Sequence, residues 1–471
     1  MERKTKIVCT IGPATESEEM LVKMADAGMN VCRLNFSHES QEMHLERINR
    51  IHKVEKESGR KFSILLDTKG PEIRTGVFKN GQETYEKGDI VTLCKEWIEG
   101  TKERFHIQCP EVFDDVFVGG TILIDDGKMR LTILDKKSDE LVCRIENPGV
   151  IKNRKGCNVP GVKLSMPFIS AKDESDIRFA CHHNVDYIAA SFTRRKEDVL
   201  EIRRILLEEG NTHIQIIAKI ENQEGYDNLE EILDAADGIM VARGDLGVDV
   251  SVALVTLYQK EMIKMANAAG KVVITATHML ESMQNNPRST RAEASDVANA
   301  ILDGTDAIML SGESAVGAYP LESVGTMVTI AEAVEQTIDH QTRLQTAIAT
   351  SRRTIEDAIG ISAADSALSL GASAIICFTS SGNSVKRIAK YRTNTPIIAV
   401  CFNEEVQRSL SLLWGVKTYL SNVQNTQLNE CELARRIAKE HGIKYGETII
   451  LVAGYPQGTG STNTMKIIEV R

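Results

Sequence analysis

The sequence has no Cys-x-x-Cys pair, although it contains ten cysteines. They are scattered over the 471 residues, at Cys9, Cys32, Cys94, Cys109, Cys143, Cys157, Cys181, Cys377, Cys401 and Cys431. Disulfide frameworks belong mainly to short secreted chains, and cysteine-based zinc sites need clustered ligands, so this spacing argues against both. It predicts free thiols in a reducing compartment.

Long apolar runs are also missing, and none reaches the length needed to span a bilayer. The first residues, Met-Glu-Arg-Lys-Thr-Lys-Ile-Val, contain no long apolar segment either. We therefore expect no signal peptide, no membrane association and a cytoplasmic location.

Positive charge is in deficit, because 56 Lys and Arg stand against 66 Asp and Glu, for a net charge of −10. A nucleic-acid-binding protein is therefore not expected, although a local basic cluster can still bind a small anion. The hydrophobic content of 42% and charged content of 26% are those of an ordinary globular protein with room for several domains.

Short apolar strands alternate with helical segments over most of the chain. Three strands are predicted before residue 72, at residues 5–11, 31–36 and 62–66. Five more are predicted at residues 187–190, 216–218, 239–241, 272–274 and 307–309, and helical patterns follow the first four of them. Eight parallel strand–helix units predict an α/β fold of the (β/α)₈ TIM-barrel type, over residues 1–71 and 167–345.

Two segments interrupt or follow this barrel. Residues 72–166 lose the helical periodicity and show alternating runs separated by turns such as Asn80-Gly81, which predicts a small inserted all-β domain. It leaves the barrel between a strand and its helix, so we expect it to act as a lid. Its Asp125-Asp126-Gly127 segment is interpreted as a hairpin turn, or alternatively as a lid segment facing a metal. Residues 346–471 alternate helix and strand again and predict a C-terminal open α/β sheet that ends in an edge strand.

Charged residues follow two consecutive barrel strands directly. Lys219 and Glu221 follow one, and Arg243 and Asp245 follow the next. A surface ion pair is the alternative explanation for the first pair. Parallel α/β folds place their chemistry at these carboxyl ends, so we expect a functional site there.

Polar residues follow the other barrel strands too: Arg33, Asn35, Ser37, His38, Asp67, Thr68, Glu72, Arg74, Thr275, Thr277, His278, Ser311 and Glu313. Carboxylates with few histidines favour Mg²⁺ or Mn²⁺ over zinc, and the other oxygens could hold a monovalent cation. Lys219 and Arg33 would offset the charge of a phosphoryl group during its transfer.

Six segments, in order over essentially the whole chain, resemble the pyruvate kinases of bacterial type: residues 10–13, 33–38, 66–74, 218–222, 240–247 and 309–313. The resemblance implies phosphoryl transfer from phosphoenolpyruvate to ADP, giving pyruvate and ATP in the last step of glycolysis. It also implies a homotetramer and a phosphorylated activator.

Residue roles follow from the same resemblance. Lys219 would stabilise the moving phosphoryl group, Arg33 would contact the phosphate, and Glu221 and Asp245 would hold Mg²⁺ or Mn²⁺. The backbone at Gly244 and the hydroxyl of Thr277 would hold the carboxylate. Thr277, with Glu313 and water nearby, would lie where the enolate is protonated.

The remaining implied sites are a cation site, a nucleotide site and an effector site. Asn35, Ser37, Asp67 and Thr68 would bind K⁺, with Glu72 as the residue type that accompanies K⁺ dependence. The nucleotide would contact Asn35, Phe36, Ser37, His38, Arg74 and Lys155. The effector would bind at Thr379, Ser380, Ser381, Gly382, Asn383 and Ser384, which follow a strand and open a helix. Residues 458–463 form a second small polar loop that is nearby in topology. A plain turn is the alternative interpretation of each loop.

The sequence departs from the resemblance at three places. His278 replaces the usual Gln, Ser289 the usual Pro, and Asp249-Val250-Ser251 the usual Glu-Ile-Pro. His278 could add a titrating group beside Thr277, or be a neutral substitution. Two other functions stay open at this point: a metal-dependent barrel lyase acting on pyruvate or phosphoenolpyruvate, and an inactive relative serving as a sensor.

Overall fold

The structure is a computed structural model that describes residues 3–351, 354–421, 429–454 and 462–471. The first elements are β1 (Lys6–Thr10), α1 (Glu18–Ala27), β2 (Val31–Asn35), α2 (Gln41–Ser58) and β3 (Ser63–Asp67). Ser17 and Ser40 cap the two helices by accepting hydrogen bonds from Met20 and Met43, and glycines end both.

A separate set of short strands follows: β4 (Ile73–Arg74), β5 (Gln82–Tyr85), β6 (Ile90–Cys94), β7 (Arg104–His106), a four-residue helix α3 (Val112–Asp115), β8 (Thr121–Ile124), β9 (Met129–Lys136), β10 (Glu140–Ile145), β11 (Gly149–Lys152) and β12 (Gly156–Asn158). They form a seven-stranded sheet in the order β4-β12-β8-β9-β10-β6-β7 and a two-stranded sheet of β11 and β5. Buried side chains such as Tyr85, Phe105 and Phe113 give this region a core of its own. The predicted additional β-sheet region is confirmed.

The barrel elements then resume: α4 (Ala171–His182), β13 (Tyr187–Ala190), α5 (Lys196–Glu208), β14 (Gln215–Ile220), α6 (Gln223–Asp227), α7 (Leu229–Ala235), β15 (Gly238–Ala242), α8 (Arg243–Asp249), α9 (Val252–Ala269), β16 (Val272–Ala276), α10 (Arg291–Asp303), β17 (Ala307–Leu310), α11 (Gly312–Ala315), α12 (Pro320–Glu335) and α13 (His340–Ala349). A capping box of Thr290 and Glu293 begins α10.

Eight parallel strands close the barrel, in the order β1-β17-β16-β15-β14-β13-β3-β2. All five residues of β3, β15 and β16 are buried, as expected for strands covered by the barrel interior on one face and helices on the other. The (β/α)₈ prediction is therefore confirmed, with three strands before the insertion and five after it.

The C-terminal region contains α14 (Ile355–Leu370), β18 (Ala374–Thr379), α15 (Asn383–Ala389), β19 (Ile397–Cys401), α16 (Glu404–Ser409), β20 (Val416–Leu420), α17 (Glu430–Glu440), β21 (Thr448–Gly454) and β22 (Thr462–Glu469). Its open sheet has the order β20-β19-β18-β21-β22, with β22 antiparallel at one edge. The predicted open sheet with a final edge strand is confirmed.

This sheet region packs against the amino-terminal end of the barrel. Lys6, the first residue of β1, donates to the carbonyl oxygen of Val416 at 2.7 Å. Arg408 donates to the carbonyl oxygen of Phe62, just before β3, at 2.7 Å. The carboxyl ends of the barrel strands therefore face the opposite side.

All ten cysteines are free thiols, as predicted, and eight of them are buried. Within the described ranges, no helix combines the length and apolarity needed to cross a membrane.

Candidate active site

Lys219 lies at the carboxyl end of β14 with its ammonium group buried among oxygens. Its Nζ is 3.1 Å from Oδ1 of Asp67, 3.0 Å from Oε1 of Glu221 and 2.8 Å from Oγ of Ser191. Burial alone would lower the pKa of Lys219, but the two carboxylates outweigh it and raise that pKa. Lys219 is 9% exposed and Glu221 1%, so the surface ion-pair interpretation is wrong.

Arg33, in the middle of β2, lies on the other side of Asp67. Its Nε donates to Oδ2 of Asp67 at 2.7 Å, and its Nη1 donates to Oγ1 of Thr10 at 2.8 Å. Burial alone would raise the pKa of Asp67, but Lys219 and Arg33 outweigh it and lower that pKa. Asp67 therefore stays ionised between two fixed cations.

Glu221 and Asp245 form a pair of neighbouring carboxylates, close enough for each to affect the pKa of the other. Burial, with Asp245 nearby, raises the pKa of Glu221 to about 7, and burial also raises the pKa of Asp245. No cluster of three or more acidic, histidine or cysteine ligands occurs in the described part of the chain. Mg²⁺ is commonly held by one or two carboxylates together with substrate oxygens, so the pair suits that ion.

The predicted K⁺ residues meet at the ends of β2 and β3. Asn35 and Asp67 are partners in the strand register, and the amide of Ser37 donates to Oδ1 of Asn35 at 3.2 Å. Oγ1 of Thr68 accepts from the amide of Ser191 at 3.1 Å. The four residues supply oxygens only, which is the donor type that alkali cations take.

Thr277 and His278 follow β16 with φ angles of 64° and 53°. Left-handed backbone is unfavourable for a β-branched residue, so this turn is strained. Oγ1 of Thr277 accepts from the amide of Gly244 at 2.8 Å and donates to the carbonyl oxygen of Ala276 at 2.7 Å. The structure thus brings Thr277 and Gly244 together, as expected.

Glu313 is buried, and burial raises its pKa. Its carboxylate accepts from the amides of Leu280 at 3.1 Å and Ser311 at 2.8 Å. It therefore anchors the segment that follows Thr277 and makes no direct hydrogen bond to Thr277 itself within the described residues.

Sequence comparison identifies the family. A family model described as pyruvate kinase, barrel domain matches residues 2–324, and one described as pyruvate kinase, alpha/beta domain matches residues 357–468. The chain belongs to the pyruvate kinase family.

Known members are similar over nearly the full chain. A pyruvate kinase of Geobacillus stearothermophilus is 52% identical over 471 residues, covering 99% of this chain and 80% of the relative. One of Staphylococcus aureus (strain MRSA252) is 51% identical over 469 residues, with the same coverage. A solved pyruvate kinase structure from Cryptosporidium parvum has a TM-score of 0.95 at 39% identity, covering 100% of this chain and 96% of that one. The resemblance is confirmed, the enzyme is a phosphotransferase, and the lyase and inactive-sensor alternatives are set aside.

A cavity of about 500 Å³ separates the barrel mouth of this pyruvate kinase from the inserted sheet. Its lining includes His38, Arg74, Lys155, Glu221 and Asp245. Of the six predicted nucleotide residues, His38, Arg74 and Lys155 line the same cavity as the carboxylate pair, whereas Asn35, Phe36 and Ser37 are not part of its lining.

The Asp125-Asp126 segment forms the hairpin turn that was the first of its two interpretations. It forms the turn between β8 and β9, with φ of 56° at both residues, and it also lines the cavity. Nζ of Lys155 is 2.8 Å from Oδ1 of Asp125. Glu72 is bonded elsewhere, since it accepts from Nε and Nη2 of Arg74 at 2.8 and 3.0 Å.

Two residues near the pyruvate kinase site, Ser191 and Phe192, were not predicted to lie there. Ser191 donates to Oδ1 of Asp67 at 3.0 Å and to the carbonyl oxygen of Thr68 at 2.7 Å. The amide of Phe192, held at a φ of 55°, donates to Glu221 at 2.6 Å. Both directly follow the apolar run of β13, so the strand-end rule could have found them.

Arg243 was expected at this site because it follows a barrel strand, but no sequence pattern predicts its contacts. It follows β15, but its guanidinium turns to the strained turn and donates to the carbonyl oxygens of Thr277 at 2.7 Å and Ala276 at 3.3 Å. Asp296 holds its other end at 2.7 Å. Arg243 therefore stabilises the backbone that positions Thr277.

The three departures lie at different distances from the site. His278 is exposed, and its ring atoms lie 3.6 and 3.7 Å from the position a Cβ would take on Gly244. Ser251 is the residue before α9, and Ser289 precedes the Thr290 cap of α10, so both lie at helix starts.

The predicted effector loop lies between β18 and α15. Gly382 has a φ of 83°, and its amide donates to Oγ1 of Thr379 at 2.8 Å. The hydroxyl of Ser384 hydrogen-bonds that of Thr462. Residues 458–461 of the second predicted loop lie outside the described residues.

Proposed function

We propose that this pyruvate kinase uses Mg²⁺ (or Mn²⁺) and K⁺ to transfer the phosphoryl group of phosphoenolpyruvate to ADP in the last step of glycolysis. The observation that carries this proposal is the buried Lys219 ammonium between Asp67 and Glu221, with Arg33 beyond Asp67. Fixed cations in a water-poor site stabilise a phosphoryl group in transfer because they need little reorganisation.

Lys219 and Arg33 bind the phosphate of phosphoenolpyruvate in this scheme. The bond between phosphorus and the enolate oxygen breaks, and a bond forms to a terminal phosphate oxygen of ADP. Lys219 stabilises the charge on the phosphoryl oxygens during the transfer, since burial keeps its ammonium strongly attractive.

Glu221 and Asp245 would hold the divalent cation. Their fit is supported by burial, which raises both pKa values, and by the charge of Asp245, which raises the pKa of Glu221 further. A divalent cation would relieve both effects. When bound, the ion supplies positive charge to the phosphate and to the enolate oxygen. The amide of Phe192 orients the Glu221 carboxylate for this task.

The substrate carboxylate binds at Gly244 and Thr277. A Cβ on residue 244 would lie 3.4 Å from Oγ1 of Thr277, so glycine lets the ligand approach the backbone closely. The enolate left by transfer takes a proton on its terminal carbon at the Thr277 side, with water nearby. Glu313 holds the turn in place through Leu280.

Asn35, Ser37, Asp67 and Thr68 would bind K⁺, and Glu72 sets the dependence on it. The adenine nucleotide binds across Asn35, Phe36, Ser37 and His38, with Arg74 and Lys155 on its phosphates. The inserted domain, residues 72–166, acts as a lid over the barrel mouth, residues 1–71 and 167–345. The cavity between them supports this arrangement.

Regulation and assembly complete the proposal. A sugar phosphate or nucleoside monophosphate binds at Thr379, Ser380, Ser381, Gly382, Asn383 and Ser384 in the C-terminal region, residues 346–471, and activates the enzyme. The protein works in the cytoplasm as a homotetramer. The exposed apolar side chains of Val252 and Leu257 on α9, 77% and 60% exposed, support a subunit contact there.

The test measures pyruvate formation from phosphoenolpyruvate and ADP with Mg²⁺, comparing K⁺ with Na⁺ at equal ionic strength. Strong stimulation by K⁺ is expected, and Asp67→Asn should weaken it. Equal turnover in both salts would refute the K⁺ site and the role of Glu72. No turnover, with or without sugar phosphates or AMP, would refute the proposed reaction.

A further inference from the structure

A second cavity lies far from the barrel mouth, between barrel helices and the C-terminal region. Its volume is about 240 Å³. Its walls come from the end of α9, the end of α10, one face of α13 and the segment after α15. A molecule bound there would contact both regions at once.

Among the described residues, four cations line this cavity, Lys264, Arg343, Lys390 and Arg392, against one carboxylate, Asp303. Asp303 is already bonded outside the cavity, by Lys260 and by Nε2 of Gln259 at 3.1 Å. It therefore offsets only part of the charge of the lining cations, that of Arg343 among them.

Two of the cations have partners of their own. Lys390 is 2.5 Å from Oδ1 of Asp357, and Nη1 of Arg392 is 2.8 Å from Oδ1 of Asp306. The other two are not neutralised within the described residues: Lys264 has no ion pair or side-chain hydrogen bond there, and Arg343 has only a hydrogen bond to the carbonyl oxygen of Leu302 at 2.5 Å. The cavity thus concentrates positive charge in a chain whose net charge is −10.

Arg392 adds an observation that points to a missing partner. Its side chain is 6% exposed, and its Nη1 and Nη2 donate to Asp306, Asn267 and Gly304, yet its Nε is buried without an acceptor among the described residues. Its backbone is held at a φ of 51°. Burial lowers the pKa of Arg343, and the neighbouring Arg392 lowers it further. An anion in the cavity would give the buried Nε an acceptor. It would also reduce the repulsion between the two guanidinium groups.

We propose that this cavity is a binding site for a small organic oxyanion, held by Arg343, Arg392 and Lys264. Guanidinium groups bind carboxylate and phosphoryl oxygens through paired N–H donors, which suits both ligand types. Ala268 and Ala347 supply apolar wall for a short carbon skeleton. The volume admits a small metabolite and excludes a nucleotide.

Trp414 gives the site a built-in reporter, because its ring lies 5.4 Å from the guanidinium carbon of Arg392. The chain has two tryptophans, so Trp97→Phe leaves Trp414 as the sole indole. Phosphate and acetate would be titrated into this full-length variant at constant ionic strength, to distinguish phosphoryl from carboxylate ligands. We expect a saturable change in Trp414 fluorescence with at least one anion.

Matched variants isolate the cavity from other anion sites. Arg343→Gln should weaken the affinity about tenfold or more, because a charge-assisted contact is lost, and Arg343→Lys should weaken it less. Lys439→Gln is the control: it removes one exposed charge from α17, outside the cavity, and should leave the anion affinity unchanged. If the anion bound at the barrel mouth or at the effector loop instead, its measured affinity would be the same in all of these variants.

Crystals soaked in selenate give a second readout, since anomalous density is expected beside Arg343 and absent in Arg343→Gln. If Arg343→Gln and Lys439→Gln bound the anion with equal affinity, the proposal would be overturned. So would a selenate soak of the unmodified protein that leaves the cavity without density.

Discussion

The carboxyl of Asp186 should make the protein less stable as the pH rises. Asp186 precedes β13 at the amino-terminal end of the barrel and accepts from the amide of Ile64 at 2.8 Å. Burial raises its pKa from the ordinary 3.8 to about 7, despite Arg408 nearby. Between these values the folded protein keeps a proton that the unfolded chain has lost, so raising the pH favours unfolding.

The difference between 3.8 and about 7 corresponds to a loss of up to about 4 kcal/mol in the free energy of unfolding. The loss is absent below the lower pKa and complete above the higher one. Asp186→Asn keeps the shape and the acceptor for Ile64 but cannot ionise. Urea unfolding of both proteins from pH 4 to 8 should therefore show the variant gaining stability relative to the parent up to about pH 7. A constant difference over that range would refute the reasoning.

Three further changes test the active site. Lys219→Met should lower turnover by about 10³-fold or more, because the transferring group loses a fixed charge, while thermal unfolding shows whether the fold is kept. Arg243→Met should lower kcat/KM for phosphoenolpyruvate by roughly 10–100-fold, because a charge-assisted bond to the Thr277 carbonyl is lost. If the KM for ADP rose by the same factor, the role of Arg243 would not be confined to the turn that holds Thr277. His278→Gln should leave the pH profile of turnover unchanged, and a shifted profile would show that this imidazole takes part.

The barrel could be predicted because its strands are apolar along their length and buried on both faces. The same rule brought Lys219, Glu221 and Asp245 together, since residues that follow parallel strands meet at one end. Ser191 follows such a strand too, and it was missed only because the end of that strand was not included.

Other contacts cannot be predicted from periodicity. The role of Arg243 depends on a side chain that turns sideways to two backbone carbonyls of the next strand's loop. The amide of Phe192 reaches Glu221 because of a single left-handed residue. Such bonds depend on local backbone angles, which hydrophobic patterns do not encode.

The insertion begins with β4 and ends with β12, and these two strands are paired, with Arg74 opposite Gly156 and Ile73 opposite Cys157. The chain therefore departs from the barrel and returns to it at neighbouring points. Closing such a gap with a short turn costs little chain entropy. The barrel is thus modular at this position: a shortened gene that joins the two strands directly would still bring β3 and α4 into their present places, and a different domain could be grafted there without reshaping the barrel.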